Sequence, residues 1–576
     1  MQRTLPHHLL RILLLALATL AAPISLERTA AQVPSAGEET VRTTGGLVSS
    51  QQWIASQVGA DVLSAGGNAV DAAIATGFAL AVTHPSAGNI GGGGFMVVRF
   101  PNGRATTIDF REEAPRASHP EMWLDDDGEY SSERHHDSHL AVGVPGTVAG
   151  FDKVHRLYGR ADWAALVEPA VELAREGFEL SDALAESLAS FVRRTPYEAS
   201  AAAFSDGGTP YAAGDTLRQA DLARTLGRIR DERRDGFYGG ETARLLVAEM
   251  ERGGGIITEE DLDRYAARER APIRGTYRGH DVISMPPPSS GGVALVTMLN
   301  ILEGYDLAGM GHNSAAYIHH LAEAMRRAYR DRARHLADTD VVDVPIHRLT
   351  SKAHAAELRR DIHPDRASVS HPADVDTGTE SRQTTHYSVV DADGMAVSVT
   401  YTLEQGYGSE IVVPGGGFLL NNEMGDFNAA PGMTTAGGLI GTEPNLARPG
   451  QRMLSSMSPT IVARDGELVA VIGSPGGRTI INTVLQLVLN TADFGMDIHE
   501  AVAAPRIHHQ WLPDRLRIEE GGVPPETVER LEEMGHTVRM RGSQGSANSI
   551  GIDPETGERI GVADPRRPDA GARVGG

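Results

Sequence analysis

The chain contains no cysteine. That one absence excludes disulfides, thiol nucleophiles, thiolate metal sites and a lipid-modified N-terminal cysteine, since each needs a sulfhydryl. Lysine is nearly as scarce: only Lys153 and Lys352 occur in 576 residues, so positive charge is carried almost entirely by arginine. The formal net charge is -23, and an acidic chain repels phosphate backbones, which argues against nucleic acid as a partner. A long apolar run is missing too. Ile12-Leu13-Leu14-Leu15-Ala16-Leu17 falls short of the roughly 20 apolar residues that a stable span needs. Arg3, His7, His8 and Arg11 precede this run, and small residues lead on to Thr29-Ala30-Ala31-Gln32, the pattern of an export signal. The expectation is a signal peptide over 1–32 and a periplasmic or secreted protein without a stable membrane anchor.

A phosphate-binding loop is also lacking. Glycines 91–94 follow His84-Pro85-Ser86-Ala87-Gly88-Asn89-Ile90, but a strand rather than a helix comes next and no Gly-Lys-Ser/Thr is present. Close backbone packing explains these glycines better. His135-His136-Asp137-Ser138-His139 lies in a polar loop without a matching second ligand group, and Asp125-Asp126-Asp127-Gly128 lacks the spaced ligands of a calcium loop. Neither is read as a metal site, and no cofactor is expected.

What is present is a layered pattern. Length alone suggests about three to four domains of about 150 residues. Residues 60–82 read as helical and rich in small side chains. Ser314 can cap a helix whose apolar positions Ile318, Leu321, Met325, Tyr329 and Leu336 recur at three- and four-residue steps, with His319, His320, Arg326, Arg327 and Arg330 facing away or flanking it. Met285-Pro286-Pro287-Pro288-Ser289-Ser290-Gly291-Gly292 is a rigid connection that could line a site. From residue 384 strands dominate, over 386–391, 395–402, 417–421, 460–463 and 468–472. Helices follow over 479–490 and 498–504, the second capped by Asp497 with Glu500 three residues on. Strand pairs between helices predict a layered α/β fold.

Within that region, Gln383-Thr384-Thr385-His386-Tyr387-Ser388 carries the chemistry. A threonine hydroxyl is a poor nucleophile without an adjacent base, and cutting the chain before it frees an α-amino group to serve. That amine titrates near 7.7–8.0, so part of it is unprotonated at neutral pH. Spacing alone does not separate Thr384 from Thr385. The turn Ala392-Asp393-Gly394 sets a hairpin in which Thr384 and Thr402 lie opposite one another, unless a bulge shifts the register.

Four further motifs accompany this run: Asn421-Asn422-Glu423-Met424-Gly425-Asp426-Phe427, Leu454-Ser455-Ser456-Met457-Ser458-Pro459-Thr460, Gly473-Ser474-Pro475-Gly476-Gly477, and Asp109-Phe110-Arg111-Glu112-Glu113-Ala114-Pro115. With Gly143-Val144-Pro145-Gly146 they occur in an order that resembles the γ-glutamyltransferases of the N-terminal-nucleophile hydrolases, across essentially the whole mature chain. The resemblance implies a four-layer αββα sandwich and a precursor cut between Gln383 and Thr384. The products would be a large subunit (33–383) and a small one (384–576) in a non-covalent heterodimer. It also implies roles: Thr384 as nucleophile with Thr402 beside it, and Gly476 and Gly477 as oxyanion donors. Arg111 with Ser455 and Ser456 would take the substrate's α-carboxylate, and Glu404, Glu423 and Asp426 its α-ammonium. The implied reaction moves a γ-glutamyl group from glutathione or a related compound to water, an amino acid or a short peptide.

Two departures stand out. Some family members carry Asn and Gln where this chain has Glu404 and Glu423, and some bacterial members place an aromatic gate where it has Gly437. A glutaryl-specific acylase is the nearest rival, but a glutaryl group has no α-amine for the acidic set to bind. A catalytically silent binding protein would have no use for Thr384, Thr402 and the paired glycines.

Overall fold

A computed structural model describes residues 40–374, 384–433 and 435–576. The expected signal peptide and Gln383 lie outside the described residues. Two seven-stranded antiparallel sheets organise the rest. The first runs, edge to edge, through Gly571–Gly575, Gly46–Ser50, Thr385–Val390, Ala396–Thr402, Gly93–Arg99, Ala105–Phe110 and Arg268–Arg270. The second runs through Thr40–Thr43, Arg559–Val562, Ser549–Ile552, Glu467–Ile472, Thr460–Arg464, His280–Ser284 and Ile273–Tyr277.

The central strands are buried on both faces, so their sequences read as β-branched and aromatic runs instead of alternating with polar residues. Outside the first sheet, Tyr387 and Tyr401 donate their hydroxyls to the carbonyls of Ala73 (3.0 Å) and Gly77 (2.9 Å) in the helix Ala69–Thr83. Asn68 and Asp71 close a capping box at the start of that helix. Between the sheets, Leu47, Val97, Val390 and Ala396 meet Ile283, Ile461, Val471 and Ile550. Beyond the second sheet, the helices Gly291–Leu302, Ala315–His335 and Thr479–Ala492 form the fourth layer. The layers are thus αββα.

Both sheets draw strands from either side of residue 384, so a cut there would leave two chains interleaved in both sheets. The described residues fall in one compact unit, in place of the three to four domains that length suggested. Glycines 91–94 pack as expected: a Cβ at Gly92 would lie 2.1 Å from the carbonyl oxygen of Thr402, and one at Gly91 2.1 Å from that of Leu419.

Two expectations are corrected. Residues 417–421 form no strand; they contribute only the isolated bridge Val412↔Leu419. Gly417 is left-handed (φ +71°) and packs on the backbone of Leu222, which breaks an extended run. His319, His320, Arg326 and Arg327 are buried rather than solvated, because neighbouring segments cover that face of Ala315–His335.

Candidate active site

The hairpin register is Thr385↔Tyr401 through Val390↔Ala396 without a bulge, so extending it by one residue sets Thr384 opposite Thr402. Alternation along the strands then sorts the side chains. Tyr387 and Tyr401 point to the helices, whereas Ser388 and Ser398 point between the sheets, donating to the carbonyls of Asn548 (3.0 Å) and Ile472 (3.0 Å). By the same parity Thr384 and Thr402 face the inter-sheet side, at 5% and 2% exposure. Thr385 takes the other face, fully buried, and its hydroxyl has no hydrogen-bond partner. Spacing had left these two threonines equivalent; the pleat separates them.

The turn 473–477 follows the second sheet's strand Glu467–Ile472 and precedes the helix Thr479–Ala492. Gly476 (φ +129°) and Gly477 (φ +58°) hold conformations that side chains disfavour, and a Cβ on Gly476 would lie 2.4 Å from Thr479 Oγ1. Gly473 abuts the His386 ring, which burial holds neutral, its pKa pushed down to about 3. After Thr402 the chain turns sharply. Glu404 has φ +79°, a strained value for a non-glycine residue, and its N–H donates to Thr402 Oγ1 at 2.9 Å.

Beside this centre lies a charged pocket. Arg111 is fully buried; its Nη1 and Nη2 pair with Glu423 and Asp426, and Nε donates to the Met453 carbonyl at 3.2 Å. A guanidinium has five N–H donors, so this geometry leaves capacity for a ligand carboxylate. Glu112, which carried no predicted role, sits 3.6 Å from the same guanidinium, with neither carboxyl oxygen hydrogen-bonded to another side chain. Three carboxyls therefore surround one cation. Burial pushes Glu423 up to about 8 and Glu112 up to about 7, against the pull of Arg111. Arg111, although desolvated, is held protonated by Glu423, Asp426 and Glu112. Such a pocket favours an added ammonium.

Loops fasten the remaining residues. Ser290 Oγ donates to the Ser455 carbonyl at 2.6 Å, and Ser455 N–H donates to Pro288 at 2.9 Å, so the proline-rich connection buttresses the serine pair. Arg332 reaches Ser456 Oγ at 3.2 Å, and Asn445 links Asp426 to Leu454. His136 Nδ1 lies 3.8 Å from Glu404, and burial lowers its pKa to about 4. Glu112, Arg332, Asn445 and His136 were all missed from sequence. The only signal was adjacency, Glu112 following Arg111 in the chain. Gly437 is exposed, and among the described residues a Cβ there would meet only Thr435 Oγ1, at 3.6 Å.

Residues 55–574 match the gamma-glutamyltranspeptidase family model. The chain belongs to the gamma-glutamyltranspeptidase family. It is 49% identical over 535 residues to the glutathione hydrolase proenzyme of Escherichia coli K12, covering 92% of each chain. Among solved structures, cephalosporin acylase from Bacillus halodurans superposes with a TM-score of 0.83 at 27% identity, over 96% of this chain and 99% of that one. Helicobacter pylori gamma-glutamyltranspeptidase is 45% identical with a TM-score of 0.54, covering 55% of this chain and 91% of that chain. The αββα sandwich is thus the fold of this family and its acylase neighbours.

Proposed function

We propose that this transpeptidase-family chain is a self-processing γ-glutamyltransferase and glutathione hydrolase, exported to the periplasm or secreted. The observation that carries the reading is the placement of Thr384 and Thr402 on the inter-sheet face beside the Arg111 pocket. In maturation, Thr384 Oγ attacks the carbonyl carbon of Gln383 and the peptide nitrogen leaves, taking a proton. Water then hydrolyses the ester, yielding a large subunit (33–383), a small subunit (384–576) and a free amine on Thr384.

In turnover that amine accepts the hydroxyl proton as Oγ attacks the donor's γ-carbonyl. Gly476 and Gly477 offer main-chain N–H groups to the oxyanion. Arg111, Ser455 and Ser456 hold the α-carboxylate, while Glu423, Asp426 and Glu404 hold the α-ammonium. The leaving amine takes the proton, and water or the amine of an amino acid or short peptide then opens the γ-glutamyl ester. No cofactor takes part in these steps.

The acylase likeness gives a second reading, transfer of a glutaryl group. The carboxyl-rich pocket weighs against it, because a glutaryl group brings no α-ammonium to pair with those carboxyls as they ionise. The test pairs mass spectrometry of purified protein with assays on γ-glutamyl and glutaryl anilides. Two fragments meeting at Gln383/Thr384 and turnover of the γ-glutamyl substrate alone are expected. An uncut, inactive chain overturns the proposal, and preference for glutaryl installs the rival.

A further inference from the structure

Two carboxylates that carry no role in the site described above grip a short stretch of main chain. Glu323, on the helix Ala315–His335, accepts from Ser368 N–H (3.0 Å) and Ser368 Oγ (2.5 Å). Asp514 accepts from Ser370 N–H (2.8 Å), and its other oxygen receives Arg326 and lies 3.1 Å from His509 Nε2. Arg326 also donates to Ser370 Oγ, and Arg327 Nη2 donates to Ser368 Oγ at 3.3 Å. Ala367 N–H donates to the Met534 carbonyl at 2.7 Å.

Apolar burial does not hold this stretch, since Val369 at its centre is 67% exposed. Polar bonds do. Burial opposes ionisation of Glu323, but Arg326, Ser368 and Arg327 hold its carboxyl down to about 2, so its charge persists through the neutral range.

Resting on the self-processing reading, we infer that Glu323 and Asp514 are positioning residues for maturation: they anchor the chain upstream of the Gln383–Thr384 peptide. The downstream end is already fixed, because the first-sheet strand Thr385–Val390 begins immediately after Thr384. Twelve residues separate Ser370 from Gln383. Pinning both ends of such a stretch restricts the positions open to the scissile carbonyl and raises its chance of meeting the hydroxyl. Glu323 and Arg326 precede the cut and Asp514 follows it, so the same clamp would tie the large subunit's new C-terminal tail to the small subunit.

The experiment uses full-length precursor, freshly purified, with conversion to two chains followed by electrophoresis and mass spectrometry. Glu323→Gln keeps the size but turns an amide N–H2 toward its donors; Asp514→Asn does the same at Ser370. Each should slow conversion tenfold or more, and Ser370→Ala, which loses only the hydroxyl, about two- to threefold. Enzyme that has matured should keep the wild-type kcat and KM for a γ-glutamyl anilide within twofold. Thr384→Ala precursors with and without each change should melt within a few degrees of one another. Conversion at the wild-type rate overturns the inference, and so does a parallel fall in conversion, kcat and melting temperature. If wild type never splits, or splits elsewhere, the functional reading falls and the clamp's role falls with it.

Discussion

The proposed reaction centre and the proposed donor pocket are neighbours held by different forces. Thr384, Thr402 and the turn 473–477 are placed by backbone: hairpin register, strand parity and two left-handed glycines. Arg111, Glu112, Glu423 and Asp426 are placed by charge, three carboxyls around one guanidinium in a desolvated pocket. The backbone-built centre would titrate only through the freed Thr384 amine; a charge-built pocket changes with pH at several carboxyls and tolerates no loss of its cation. Substitutions in the first should therefore abolish chemistry, and those in the second should alter binding.

The largest effect is expected from Thr384→Ala, which removes the group proposed both to cut the chain and to carry the acyl group. A single unprocessed chain should result, with turnover down about 10⁶-fold, to background. Thr385→Ala should still mature, though more slowly, since its hydroxyl lies on the helix-facing side. Electrophoresis of the two variants decides the point: the opposite pattern moves the nucleophile by one residue.

Arg111→Lys should mature normally yet bind γ-glutamyl donors poorly. Lysine keeps the charge but cannot reach Glu423, Asp426 and a ligand carboxylate together. Losing one charge-assisted contact of about 1.5–3 kcal/mol predicts a donor KM about 10- to 100-fold higher, with kcat less affected. An unchanged KM removes Arg111 from the donor site.

Glu423→Gln sharpens the contrast through pH. A carboxyl raised from 4.5 to about 8 on folding contributes stability that is fully present below 4.5 and is lost as pH climbs through about 8. Wild type should therefore lose melting temperature across that window, while its affinity for an ammonium-bearing donor improves as the carboxyl ionises. In Glu423→Gln both slopes should flatten, with donor KM at pH 8.5 raised about three- to tenfold. Melting curves and kcat/KM profiles that retain the wild-type slopes would assign the titration elsewhere.

The smallest effect belongs to the lid. With Gly437 open to solvent, wild type should hydrolyse a γ-glutamyl anilide readily without an acceptor and gain only modestly from Gly-Gly. Gly437→Tyr makes no close contact at its Cβ and should reduce hydrolysis about two- to threefold while tightening donor selectivity, a shift below 1 kcal/mol. Identical partition in both proteins would defeat the open-lid idea and leave the enzyme class standing.

The opposition of Thr384 and Thr402 was legible because a tight turn ending in Gly394 (φ +89°) fixes register locally, and a period of two carries it outward. The four-layer fold was legible only through the order of the family's motifs. Composition and periodicity alone reached no further than layered strands and helices. The misread strand at 417–421 and the misread polar face of Ala315–His335 share one cause. Whether an apolar run pairs, or a charged face meets water, depends on what else packs there.

The sequence by itself determined the missing thiol chemistry and the hairpin with its facing threonines, and through the family's motifs it supplied the residue types of the proposed donor site. Only the tertiary structure decided which threonine faces the space between the sheets, that Glu112 joins the pocket, and that Glu323 and Asp514 meet the segment 368–370. Glu323 and Ser368 stand 45 positions apart, and Asp514 and Ser370 stand 144. Local spacing carries no record of such meetings; they arise when layers built from distant segments stack and leave buried charges to find their partners.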